Sequence, residues 1–164
     1  MARQLNWEEF VSLCDRLSEK LRKECFDLIV AINQGGLVFG RILADKLGLQ
    51  LAVISAQHYV NGEKKQKIVC DYTISSLNAI EGRLLLVDAV TNTGETLKTV
   101  ADFIRTYYKP VSVKTAVLFS KNNGGRADFY GESENGWIVF PYEKAEFLRT
   151  LAAERAKSLP QAAS

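Results

Sequence analysis

The chain has 164 residues, of which 47% are hydrophobic and 24% charged, with 11 Gly and 3 Pro. That is the composition of one globular domain, and it excludes disordered, collagen-like and low-complexity classes. With 21 Lys+Arg against 19 Asp+Glu the formal net charge is +2, so no general drive toward nucleic acid or an anionic membrane exists.

Asn6 followed by Glu9 has the spacing of a capping box and predicts a helix start. Trp7, Phe10, Val11, Cys14, Leu17 and Leu21 then recur at steps of three and four, the period of one apolar helix face. Residues 27–32 read as a buried strand that breaks at Asn33-Gln34-Gly35-Gly36. A second helix is predicted over 37–47, stopped by Gly48, and a short strand over 51–55. From His58 to Gly82 the pattern loosens; Asn61-Gly62 marks a hairpin turn, with Lys64-Lys65-Gln66-Lys67 behind it. Residues 84–87 predict a buried strand that ends in Asp88. A helix over 94–108 carries Leu97, Val100, Ala101 and Ile104 on one face. Strands over 111–119 and 137–140 follow, then a helix-like tail over 142–157 and a fraying end.

Strands that alternate with helices and lack polar alternation predict an α/β fold. Its core is a central parallel sheet of about five strands covered by helices on both faces. Ligands in such sheets bind at the carboxyl ends of the strands. The three cysteines, Cys14, Cys25 and Cys70, are odd in number and form no CxxC, which argues against a disulfide scaffold or zinc site and for a reducing compartment. The first ten residues hold no apolar run, and apolar stretches fall far short of the roughly 18 residues that span a bilayer. A cytoplasmic location is the expectation, with neither membrane nor nucleic acid as partner.

The most informative stretch runs from Leu84 to Leu97. A buried strand delivers Asp88, and Thr91, Asn92, Thr93, Gly94, Glu95 and Thr96 lead into a helix N-terminus. Amides unpaired within the helix, hydroxyls and the helix dipole suit a phosphate there. The same residues also read as a helix start capped by Thr91 or Thr93 with no ligand. Neither a Walker loop nor a GxGxxG fingerprint is present.

This pattern, an Asp after a strand followed by Asn92-Thr93-Gly94-Glu95-Thr96, resembles the phosphoribosyl-pyrophosphate (PRPP) motif of type I phosphoribosyltransferases. Four further segments fit in order. Gln34-Gly35-Gly36 resembles the family's pyrophosphate loop, and residues 58–68 stand where its mobile cover belongs, with Tyr59 as the lid residue. Lys121 resembles the strand-end lysine that reads the purine O6 in the 6-oxopurine enzymes. Trp137-Ile138 resembles their base-binding segment, in which the aromatic stacks on the purine. The small xanthine–guanine and archaeal purine enzymes are the most similar members, and the resemblance spans about residues 5–147.

The resemblance implies a single domain over 1–164, with a core at 26–119 and a small hood built from about 1–10 and 120–147. It implies transfer of a phosphoribosyl group from PRPP to guanine, xanthine or hypoxanthine in purine salvage, with Mg²⁺ accompanying PRPP. Asp88 and Asn92 take the catalytic positions, Asp88 with an indirect part in holding the metal. The 91–96 turn would take the 5′-phosphate, and a homodimer or homotetramer is the expected assembly. Chemistry agrees with parts of this: Lys121 can donate to a carbonyl oxygen but cannot accept from an amino group, and Trp137 offers a broad flat face. Three positions depart from the family pattern. Ala89 replaces the second acidic residue of the motif, Asn92 its later Asp, and Gln34 the usual Arg of the pyrophosphate loop. They leave open an alternative, a nucleotide- or PRPP-binding regulatory protein with degraded catalysis.

Overall fold

The computed structural model describes residues 2–58, 68–75, 79–121 and 127–158. Two compact units are distinguished, Met1–Ser12 with Gly136–Ser164, and Leu13–Asn135; the division falls within the first helix.

The larger unit is built on a six-stranded sheet. Its strands are β2 (Leu28–Asn33), β3 (Gln50–His58), β4 (Ile68–Ser75), β5 (Arg83–Thr91), β6 (Ser112–Ser120) and β7 (Phe129–Ser133), in the spatial order β4-β3-β2-β5-β6-β7. The five strands from β3 to β7 in that order are parallel, as expected, and β4 joins β3 antiparallel at one edge. β7 pairs with β6 in parallel register, Ala116 opposite Phe129 and Ser120 opposite Ser133. Residues 129–133 therefore belong to the sheet, not to the hood expected over 120–147.

Side-chain alternation sorts the two faces. Leu28, Val30, Ile32, Leu84 and Leu86 pack with Leu97, Val100, Ala101 and Ile104 of α3 (Glu95–Tyr108). The opposite face receives α2 (Gly35–Leu47), whose Gly40 lies so close that a methyl group there would stand 2.8 Å from Ala31 Cβ and 3.1 Å from Val87 Cγ2. α2 stops where expected. Gly48 adopts φ 68°, and the N–H groups of Gly48 and Leu49 turn back to Asp45 and Ala44 carbonyls.

α1 (Trp7–Leu21) opens with the expected reciprocal cap: Glu9 N–H donates to Asn6 Oδ1 at 2.8 Å, and Asn6 N–H donates to Glu9 Oε2 at 2.9 Å. Its buried stripe is Phe10, Leu13, Cys14, Leu17 and Leu21, whereas Trp7 and Val11 are exposed. Val11 stands about 100° around the helix from Phe10, beyond the rim of a stripe centred on Phe10 and Leu17, and so falls outside the buried face, where the spacing predicts it. Burial pushes the Cys14 thiol up to about 12.

In the smaller unit β1 (Arg3–Gln4) pairs in parallel with β8 (Ile138–Val139), and α4 (Lys144–Ser158) follows. Phe10 meets Phe140 and Tyr142 edge-on with ring centroids 5.9 and 5.6 Å apart, while Phe140 and Tyr142 stack at 5.3 Å. Among the described residues no helix is long and apolar enough to cross a membrane.

Candidate active site at the carboxyl end of the sheet

β5 continues to Thr91, four residues beyond the apolar run that predicted it. Asp88 is consequently a residue of the strand, half-buried, with its Oδ1 accepting the N–H of Ala89 at 2.7 Å. Ala89 is 3% exposed. Thr91 is buried too, the last strand residue and not part of the expected turn. Its Oγ1 accepts the Gly94 N–H at 3.1 Å, and its carbonyl accepts the Lys121 N–H at 2.9 Å.

The turn itself is Asn92-Thr93-Gly94. Gly94 takes φ 77°, a left-handed conformation that disfavours a side chain, and α3 starts one residue later than expected, at Glu95. Asn92, Thr93 and Glu95 are exposed, and the Glu95 N–H makes a long bond of 3.4 Å to Thr93 Oγ1. Asp88 and residues 90–97 line a pocket of about 290 Å³ beside the N-terminus of α3. The partial positive charge at such an end favours an anion.

The glycine pair at 35–36 reaches the same place from α2. The helix begins at Gly35, two residues before the expected start, after a cis Asn33–Gln34 peptide bond; Gln34 makes no side-chain cap. A methyl group at Gly35 would lie 2.8 Å from Asp88 Oδ1 and 3.7 Å from Ala89 Cβ, and one at Gly36 would strike the Val87 carbonyl oxygen. Glycine is thus required here by the approach of α2 to β5, a reason that the sequence alone did not supply. Gly35, Gly36 and Asp88 are brought together by it, with Gln34 immediately before the helix.

Lys121 follows the last residue of β6 and is half-buried, its amide tied to Thr91. In the smaller unit Trp137 precedes β8, with its indole 66% exposed and its carbonyl accepting the Arg3 N–H at 2.8 Å; Ile138 is buried. Trp137, Glu143, Glu146 and Phe147 are among the residues around a pocket of about 220 Å³ there. Glu143 was not singled out by its sequence context. Burial holds its carboxyl above the usual range, opposed by a hydrogen bond from the Phe140 N–H and assisted by Glu146. Tyr59 and the lysines at 64, 65 and 67 lie outside the described residues.

A parallel sheet covered by helices on both faces, with a pocket at its strand ends beside the N-terminus of α3, is the architecture in which α/β proteins bind ligands. Residues 3–143 match the family model described as phosphoribosyl transferase domain, and the chain belongs to that family. Its fold is that of a type I phosphoribosyltransferase. It is similar to a purine phosphoribosyltransferase from Pyrococcus horikoshii, at 30% identity over 86% of this chain and 93% of that one, with a TM-score of 0.75. A xanthine–guanine–hypoxanthine phosphoribosyltransferase from Helicobacter pylori shares the fold at 19% identity, covering 92% and 99% of the two chains, with a TM-score of 0.78. So does a hypothetical protein from Neisseria gonorrhoeae with bound ppGpp, at 19% identity over 94% and 98%, with a TM-score of 0.68.

Proposed function

We propose that this chain transfers the 5-phosphoribosyl group of PRPP to a 6-oxopurine base, giving the nucleotide and pyrophosphate in purine salvage. The observation that carries this reading is that Asp88 meets the Gly35-Gly36 start of α2 and shares its pocket with the residues from Val90 to Leu97 around the start of α3. The name of the 30% identical archaeal relative, a purine phosphoribosyltransferase, supports the class of base.

In this reading the Asn92-Thr93-Gly94 turn, with Glu95 and Thr96 at the start of α3, takes the 5′-phosphate, and Asp88 accepts hydrogen bonds from the ribose hydroxyls. Gln34, Gly35 and Gly36 take the pyrophosphate. As the C1–O bond breaks, positive charge grows on the ribose ring and negative charge on the leaving pyrophosphate. The Asp88 carboxylate stabilises the first and the N-terminus of α2 the second. A purine nitrogen then bonds to C1 and gives up its proton to solvent, because the Asn92 amide can orient the base but cannot accept a proton. Lys121 is the residue proposed to donate to the 6-oxo group, and Trp137 with Ile138, in the smaller unit, the segment proposed to stack on a base; Tyr59, proposed for the lid, lies outside the described residues.

Mg²⁺ belongs to the substrate, carried by the phosphate oxygens of PRPP. Among the described residues no three His, Cys, Asp or Glu side chains gather into a cage. Asp88 supplies one carboxylate, which fits an ion that keeps its waters and binds chiefly to phosphate. The assembly proposed is a homodimer or homotetramer.

A second reading, a nucleotide- or PRPP-binding regulator with little turnover, is favoured by Ala89, which is buried beside Gly35 and presents no carboxylate. Incubation with Mg²⁺-PRPP and each of hypoxanthine, guanine, xanthine and adenine separates the two. Nucleotide formation with the oxopurines and none with adenine is expected. Absence of product with every base, together with thermal stabilisation by GMP or IMP, would establish the regulator instead.

A further inference from the structure

Thr91 is where the two strand ends of the site are joined; it borders the pocket, but almost all of its surface is buried. It is 5% exposed and closes β5 opposite Ser120 of β6. Its carbonyl is used by the Lys121 amide at 2.9 Å, which fixes the residue against the neighbouring strand end. Its hydroxyl oxygen is used by the Gly94 N–H at 3.1 Å, across a turn whose glycine is buried and left-handed at φ 77°. An acceptor anchored to the sheet therefore holds the residue that sets the direction in which α3 departs. A turn already held in its binding shape does not have to be ordered when a ligand arrives.

We propose that Thr91 is a positioning residue, whose hydroxyl preorganises the Asn92-Thr93-Gly94 turn for a sugar phosphate without contacting it. This rests on the proposed function, because it takes the turn to be the phosphate side of the site. It replaces the direct phosphate contact that the sequence suggested for Thr91. The hydroxyl's effect should fall on the phosphate-bearing ligand, through affinity, and leave the chemical step alone.

Ribose 5-phosphate binding by calorimetry and steady-state kinetics with PRPP are compared in the wild type, Thr91→Val, Thr91→Ser and Thr115→Val. Valine keeps the shape of threonine and removes the acceptor. Thr115 is a second buried strand threonine, bonded through its hydroxyl to Asp128 at 2.8 Å and outside the proposed machinery, so Thr115→Val reports simple loss of stability. Thr91→Val should weaken ribose 5-phosphate about tenfold and raise KM for PRPP similarly, with kcat within about threefold. Thr91→Ser should restore both to within about twofold, and Thr115→Val should leave both unchanged. Unchanged or tighter binding in Thr91→Val would overturn the proposal, since tighter binding would mean that Thr91 competes with the phosphate for the Gly94 amide. Equal weakening in Thr115→Val would overturn it as well. A wild type that binds neither ribose 5-phosphate nor GMP would instead overturn the proposed function, and this inference with it.

Discussion

Asp88 and Ala89 are neighbours in β5 with opposite surroundings. The Asp88 carboxylate stays half-exposed at the pocket, while Ala89 is packed beside the first turn of α2, where an ionised side chain would have to be buried. Of the three positions that depart from the family pattern, this is the one the packing explains; Asn92 is exposed, and nothing in the structure accounts for its amide. A different carboxylate bears the cost of burial. Glu143 is held above its ordinary range chiefly by desolvation, so its folded state takes up a proton more readily than the unfolded chain does. The sign follows: its contribution to stability is full below about pH 4.5 and is lost as pH rises through the higher folded value. Glu143→Gln removes that loss. The variant should melt above the wild type at pH 7 and with it near pH 4, in thermal scans by circular dichroism. A gap that persists at low pH would show that charge burial is not its source.

At the scale of elements, what was legible followed from burial. β2, β3, β5 and β6 are the four interior strands, and each was visible as an apolar run. β4 and β7 are the two edges, pairing on one side only, and neither carries such a run; only the hairpin turn predicted at Asn61-Gly62 points to an antiparallel strand at β4. Helix existence was legible from the 3.6-residue period, but the starts of α2 and α3 were not. Those starts are set by tertiary contacts: α2 begins at Gly35 because it leans on β5, and α3 waits for Gly94 to turn. The candidate site was legible as a list of residues, yet the packing need for its glycines was not, because it arises from a tertiary contact. Gly36 serves the helix–strand approach, since a methyl there meets the Val87 carbonyl, whereas Gly48 has open space around it and serves only a left-handed cap. Gly36→Ala should cost about 1–3 kcal/mol, lowering Tm by roughly 2–12 °C. Gly48→Asn should cost less, as asparagine tolerates the left-handed region. Differential scanning calorimetry of the two variants decides; a Gly36→Ala protein that melts with the wild type would mean that α2 can step back from β5.

At the scale of the whole molecule, part of the near-neutral balance is made by local pairing. The net value of +2 conceals pairing within the larger unit: Arg16 with Glu132, Arg41 with Asp45, Lys46 with Asp15, Arg83 with Asp27, and Lys114 with Glu24. Cations committed to carboxylates contribute little field at a distance, so these five add little attraction for a polyanion at the strand ends. Among the described residues, the strand-end pocket offers phosphate backbone amides, hydroxyls and the N-terminus of α3, whose partial charges are fixed and short-ranged. Such a site should respond weakly to ionic strength, unlike one held by mobile lysines. Between about 50 and 500 mM NaCl, KM for Mg²⁺-PRPP is expected to rise by no more than about threefold, with kcat unchanged, in initial-rate measurements at constant free Mg²⁺. A rise of tenfold or more would assign the pyrophosphate to freely charged side chains. Lys64, Lys65 and Lys67 are then the groups to neutralise, and their replacement by glutamine should flatten the salt dependence.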